Sequence, residues 1–167
     1  AIAFGKQLAP LRIGWFEDIV PPGDAQMVRE IRDGIRPTPV AMGDEQGGSY
    51  HPQALLKFDA VDYNRVDATT NGGITRLRGI LKACTDHGNK VTPHMFPHIH
   101  SQVLGALGYT DAPIEWGIPG TGVHPMDDAL IQPVVRDGMM DPLPDLPGFG
   151  TLVDPGWIAA QREVTDV

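Results

Sequence analysis

The sequence predicts an α/β protein and, within that class, a partial (β/α)8 TIM-like barrel of about five βα units followed by a C-terminal hairpin and tail. Two observations predict it. Short apolar runs alternate with stretches of helical period along most of the chain. Five of those runs end in an acid or an imidazole: Glu17 after IGWF, Asp44 after PVAMG, Asp67 after VDYNRV, His94 after VTP and Glu115 after API, at intervals of 27, 23, 27 and 21 residues. About thirty residues hold one strand, one helix and their loops. In a (β/α)8 barrel the catalytic groups cluster at the carboxyl ends of the strands.

Each element follows from its own residues. Residues 1–10 read as a helix with Ala1, Phe4 and Leu8 on one face, and residues 13–16 as the first strand. After the VPPGD loop, Asp24 is placed to cap a helix carrying Met27, Val28 and Ile31, which ends before Pro37 and Pro39. Residues 39–42 form the second strand. Pro52 suits the first turn of a short helix over 51–58. Residues 60–66 form the third strand, and NGG opens a helix from about 74 to 87 that Gly88 stops. Residues 90–92 are the fourth strand, 99–107 a helix and 113–116 the fifth strand. The alternation then ends. A long loop leads to a hairpin over 132–140 around Asp137-Gly138, a two-residue turn signal. PLPDLPGFG is extended, and residues 155–163 close with a short helix.

Size and charge bound the reading. The 167 residues suffice for one core, and 41% hydrophobic with 20% charged residues is ordinary for a globular protein. A net charge of −8 without a basic stripe argues against nucleic acid as a partner. No apolar stretch approaches a membrane span, and the single cysteine, Cys84, excludes an intrachain disulfide and suits a cytoplasmic setting. A complete barrel takes roughly 250 residues. A five-strand piece would leave two long edges unpaired, so the expectation is the C-terminal portion, residues 1–167, of a larger barrel enzyme.

The segments WFED, VAMGDEQGG, VDATTNGGIT, PHMFPHIH and IEWG, in this order and spacing, resemble the C-terminal barrel of the enolase superfamily. They are most similar to the mandelate racemase subgroup of the mandelate racemase/muconate lactonizing enzyme family, which includes acid-sugar dehydratases. PLPDLPGFG resembles the tail segment of that group. The resemblance implies a barrel behind an N-terminal capping domain that is absent from this sequence, and one Mg²⁺ held by three carboxylates on successive strands. Glu17 matches the second metal ligand. Asp44 matches the third, with the adjacent Glu45 as a possible substitute. The first ligand is expected one βα unit upstream of Ala1, and a Lys-containing motif earlier still. Asp67 and His94 match the Asp–His dyad of the subgroup, and Glu115 the acid that donates a hydrogen bond to the substrate carboxylate. The full-length enzyme is expected to be a homo-oligomer whose partner is a small carboxylate, an acid sugar.

These residue types suit that chemistry. Removing the proton beside a carboxylate places two negative charges on neighbouring oxygens; enolase-superfamily sites meet this with Mg²⁺ and a Lys or His base. Mg²⁺ is hard and takes oxygen ligands, as Glu17 and Asp44 provide. His94 titrates near neutrality and is the expected base, with Asp67 fixing its tautomer. Glu115 must be protonated to donate, which a neighbouring substrate carboxylate favours. His98, His100, Gln46 and Asn71 are expected to line a mouth suited to a hydroxylated substrate. The expected reaction is dehydration of an acid sugar to a 2-keto-3-deoxy acid. Racemisation or epimerisation of a 2-hydroxy acid is the alternative, and so is an inactive fragment that needs a partner chain. Taken singly, any of these acids reads as a helix cap or loop solubiliser, and Asp67 as a cap for the NGG helix. Asp59 and Asp62 read as ordinary loop acids. HxxxHxH over His94, His98 and His100 admits a zinc reading, which Pro93 and Pro97 disfavour. Cys84 reads as inert core, and Trp15 and Trp116 as packing against the barrel wall.

Overall fold

A computed structural model describes residues 1–43, 47–122, 129–141, 148–149 and 153–165. It divides into two compact units, Ala1–His94 and Met95–Val167.

The first unit alternates helix and strand in chain order: α1 (Ile2–Leu8) with a 3₁₀ turn (Ala9–Leu11), β1 (Phe16–Glu17), α2 (Ala25–Ile35), β2 (Val40–Met42), α3 (Tyr50–Lys57), β3 (Tyr63–Val66), α4 (Gly73–Asp86) and β4 (Lys90–Pro93). The four strands form one parallel sheet in sequential order, the arrangement expected of consecutive βα units. Asp24 caps α2 as its sequence predicts, its Oδ1 accepting from the Met27 N–H at 2.9 Å. The helix-facing side of the sheet holds the core. Val40 and Met42 pack with Val28, Ile31 and Ile35 of α2 and with Leu55 of α3, all buried.

The strands are shorter than the apolar runs. β1 begins at Phe16 rather than residue 13, because its neighbour begins only at Val40; the first ladder bond runs from the Phe16 N–H to the Pro39 carbonyl at 2.8 Å. This places Glu17 inside the strand rather than after it. β3 begins at Tyr63 rather than residue 60.

The second unit contains α5 (Pro97–Ala106), the antiparallel hairpin β5 (Val135–Arg136) and β6 (Met139–Met140), and α6 (Pro155–Thr165). α5 starts two residues before its predicted start because Pro97 occupies its first turn, where a missing N–H costs nothing. The hairpin turns at Asp137 (φ 51°) and Gly138 (φ 76°), the pair its sequence selects. An isolated antiparallel bridge joins Leu130 to Val153. The predicted fifth strand is not formed: residues 113–116 are irregular. Pro113 has no N–H for a ladder, and a three-residue apolar run is too short to outweigh that loss. Most of PLPDLPGFG lies outside the described residues.

Candidate functional site at the carboxyl ends of the strands

Strand register places the chemistry on one face of the sheet. Glu17 pairs with Ala41, Ala41 with Tyr63, Tyr63 with Lys90 and Arg65 with Thr92. Because side chains alternate along a strand, Trp15, Glu17, Tyr63, Arg65, Asp67, Lys90, Thr92 and His94 share the face opposite the helices. The lower layer is aromatic and cationic: Trp15 and Tyr63 stack at 5.1 Å between ring centroids, and Lys90 Nζ lies 5.1 Å from the Tyr63 ring. Above it sit the carboxylates and the imidazole.

Asp67 and His94 come together. His94 Nδ1 lies 3.2 Å from Asp67 Oδ2. The other carboxylate oxygen, Oδ1, accepts from both the Thr69 N–H and the Thr69 hydroxyl at 2.7 Å. The Asp67 side chain is 1% exposed and that of His94 36%. An ionised carboxylate only accepts, so Nδ1 carries the proton and Nε2 is the basic nitrogen of this tautomer. Asp67 does not cap α4, whose N-cap is Gly72; it closes its own turn and orients His94.

The loop after β3 is held by Asn71. Its Oδ1 accepts from the Asp67 N–H at 2.8 Å, and its Nδ2 donates to the Gly48 carbonyl at 3.0 Å. Asn71 is fully buried. The expectation that it faces a hydroxylated substrate is therefore corrected: its amide is spent on tying two strand-end loops together.

Glu17 is held from two sides. Trp15 Nε1 donates to its Oε2 at 2.7 Å, and Arg65 Nη2 lies 3.1 Å from its Oε1. Trp15 thus packs as expected and also positions a carboxylate. Arg65 was not singled out from the sequence. The signal was present in the two-residue period of β3, which puts Tyr63, Arg65 and Asp67 on one face; a buried arginine there requires an anion.

Gly43 shapes the end of β2. Its φ is +148°, and a Cβ there would collide with the Arg65 carbonyl oxygen and lie 2.8 Å from Asn64 Oδ1. Only glycine lets the chain pass β3 this closely. Asp44, Glu45 and Gln46, which follow it, lie outside the described residues. Among the described residues Glu17 offers the hard carboxylate oxygen that magnesium takes.

In the second unit Glu115 is partly exposed, and its Oε2 accepts from the Met95 N–H at 3.1 Å. Met95 and Phe96 both have positive φ, 47° and 43°. Two consecutive non-glycine residues in that region store strain in the turn that follows His94. His98 and His100 are both buried in α5, and His100 Nδ1 lies 2.7 Å from the Met95 carbonyl. His98 borders a water-sized cavity with Trp116 and Gln132. Among the described residues no three His, Cys, Asp or Glu side chains form a metal-binding group, which leaves the zinc reading of the three histidines without support.

Cys84 is buried, and burial pushes its thiol up to about 12, consistent with inert core. Asp59 and Asp62 are more than loop acids. Asp62 Oδ1 meets Arg32 Nη2 at 2.6 Å and its Oδ2 accepts from the Val40 N–H at 2.8 Å, while Asp59 pairs with Arg29 at 2.6 Å and Arg32 at 3.2 Å. Burial alone would raise the Asp62 carboxyl, but its bonds to Arg32 and Val40 outweigh that and hold it below the usual range. No described helix is long and apolar enough to cross a membrane.

Comparison with known proteins gives the family. The chain is 30% identical over 161 residues to D-galactarolactone cycloisomerase of Agrobacterium fabrum, covering 90% of this chain and 42% of that protein. It is 29% identical over 158 residues to a D-mannonate dehydratase of Caulobacter vibrioides, covering 92% and 39%. The chain thus spans less than half the length of these relatives. In fold it resembles the crystal structure of L-talarate dehydratase from Polaromonas sp. JS666, complexed with Mg and L-glucarate, with a TM-score of 0.80 at 22% identity over 95% of this chain and 42% of that one. The profile of the family described as "Enolase C-terminal domain-like" matches residues 1–157. A parallel βα sheet with its Asp–His pair and carboxylate at the strand ends, matched over nearly its whole length by that profile, belongs to the enolase C-terminal domain-like family of mandelate racemase and muconate lactonizing enzyme type.

Proposed function

We propose that this chain is the C-terminal barrel portion of a Mg²⁺-dependent enzyme that removes the proton α to a carboxylate and dehydrates an acid sugar to a 2-keto-3-deoxy acid. The observation that carries the proposal is the pairing of His94 with a fully buried Asp67. The names of the relatives, among them D-mannonate dehydratases and members of the D-galactonate dehydratase family, support the substrate class.

His94 Nε2 takes the α-proton, and Asp67 keeps the ring oriented and stabilises the imidazolium that results. With a hydroxyl on the β-carbon, the same imidazolium returns its proton to that oxygen. The C–O bond breaks, water leaves, and the enol product becomes the 2-keto acid. Glu115 is assigned to the substrate carboxylate, and His98, His100 and Gln46 to its surroundings. Glu17 and Asp44, with Glu45 as the substitute for Asp44, would hold Mg²⁺ together with a ligand upstream of Ala1. Bound there, the metal supplies electrostatic stabilisation of the charge that develops on the carboxylate oxygens. A cytoplasmic, homo-oligomeric full-length enzyme completes the proposal.

The test is to incubate the full-length enzyme with Mg²⁺ and a panel of acid sugars in D₂O, following 2-keto acid formation and exchange of the α-proton. His94→Asn is expected to lower both by about 10³-fold, within the usual range for loss of a general base, with little change in melting temperature. Exchange at the wild-type rate in His94→Asn would remove His94 as the base.

A further inference from the structure

We infer that Arg65 is a positioning residue for the magnesium site, one that stays paired with Glu17 when the metal is bound. The inference rests on the proposal that Glu17 is a metal ligand. Arg65 is 2% exposed, and the contacts of its guanidinium include two anchors. Nη2 meets Glu17 Oε1 at 3.1 Å, and Nη1 donates to the Pro93 carbonyl at 3.4 Å. The first anchor belongs to the proposed ligand on β1. The second is the peptide unit immediately before His94. One planar group therefore spans the carboxylate and the strand that carries the base.

Two readings of such a pair compete. A cation beside a ligand opposes the approach of Mg²⁺, and removing it would then tighten metal binding. Alternatively it orients the ligand, and removing it loosens binding. Burial decides between them. A guanidinium this enclosed gives up a hydrogen-bonded carboxylate only at a desolvation cost, so the metal joins the pair rather than replacing Arg65. A carboxylate has about four lone-pair sites. Trp15 Nε1 and Arg65 each occupy one, on different oxygens, which fixes the plane of the group and leaves the remaining sites in a set direction. Charge points the same way. Three carboxylates around one dication would leave a single excess negative charge, which a guanidinium 3.1 Å from one of them balances. Outer partners that orient metal ligands commonly change affinity by about 10–100-fold when removed.

The experiment measures Mg²⁺ affinity of the full-length protein by calorimetry, with no substrate present, for wild type, Arg65→Met, Arg65→Lys and Glu17→Gln. Arg65→Met is expected to bind Mg²⁺ about tenfold more weakly. Arg65→Lys keeps the charge but not the two-anchored fork, and is expected to fall between wild type and Arg65→Met. Unchanged or tighter binding in folded Arg65→Met overturns the inference, as it would mean a structural or opposing role. If Arg65→Met fails to fold, Arg65→Lys decides: wild-type affinity there overturns it. Glu17→Gln separates the two failures. If it retains wild-type affinity, the assignment of Glu17 as ligand is wrong and the inference falls with it. If it loses Mg²⁺ while the Arg65 variants do not, only the inference fails.

Discussion

The two ends of the four-stranded sheet use similar residues in opposite ways. At the amino ends, Arg32 of α2 binds Asp62 and Asp59, and Asp62 also receives the Val40 N–H that opens β2. These charges neutralise one another and lock a helix to the strand edges. At the carboxyl ends, Asp67 spends one oxygen on its own turn and the other on His94, whose ring remains partly exposed, and Glu17 is oriented by Trp15 and Arg65. The amino rim is thus satisfied within itself, while the carboxyl rim keeps an imidazole partly open, the division of stability from function expected of a βα barrel.

Three substitutions break or sharpen this contrast. The largest effect is expected from Asp67→Asn. An amide can donate to His94 Nδ1 and so favour the wrong tautomer, and turnover by the full-length enzyme should fall by about 10²–10⁴-fold, as for a comparable Asp partner of a catalytic His. The melting temperature should change little, because the Asn oxygen can still accept from Thr69. A stability loss that accounts for the lost turnover would return Asp67 to the structural side. Gly43→Ala comes next. The added methyl meets the Arg65 carbonyl, so urea unfolding should show a loss of about 2–3 kcal/mol; on the proposal that Asp44 is a metal ligand, Mg²⁺ affinity of the full-length enzyme should weaken too. Unaltered stability would show that β2 can move away from β3 without cost.

The smallest effect belongs to the other rim. Asp62→Ala should destabilise by about 1–2 kcal/mol, after discounting for its partial exposure, and leave turnover at saturating substrate unchanged. Its pH dependence has a definite sign. The folded pKa lies below the reference 3.8, so the contribution is complete above that value and lost as pH falls through the lower folded pKa. Wild type and Asp62→Ala should therefore converge in stability as pH falls below 3.8. A constant gap down to pH 2 would mean that packing, not charge, accounts for the loss.

Much of the fold was legible from short windows. The Asp24 cap, the Asp137-Gly138 turn and the order of helices and strands each depend on a few adjacent residues and appear where their sequences place them. Strand lengths were not legible in the same way. An apolar run over 13–16 is a strand only where a neighbour offers ladder bonds, and that neighbour starts at Val40. Residues 113–116 show the same limit from the other side, since a short segment that begins with proline formed no strand. On the sheet, Glu17, Asp67 and His94 were marked by their regular spacing. Arg65 was not singled out and Asn71 was misjudged, because their roles depend on what lies opposite.

The sequence by itself determined the alternating βα order of the first unit, the Asp24 cap and the Asp137-Gly138 turn, and that Glu17, Asp67 and His94 stand at strand ends, because each is set by local backbone preference and a repeating interval. Only the tertiary structure decided that Arg65 meets Glu17, that Asn71 is consumed in joining two loops, and that Asp62 clamps α2 instead of solvating a loop. The partners in these contacts are distant in the chain or are backbone groups without a side-chain signature. Their meeting depends on sheet register and burial, which exist only once the strands have paired.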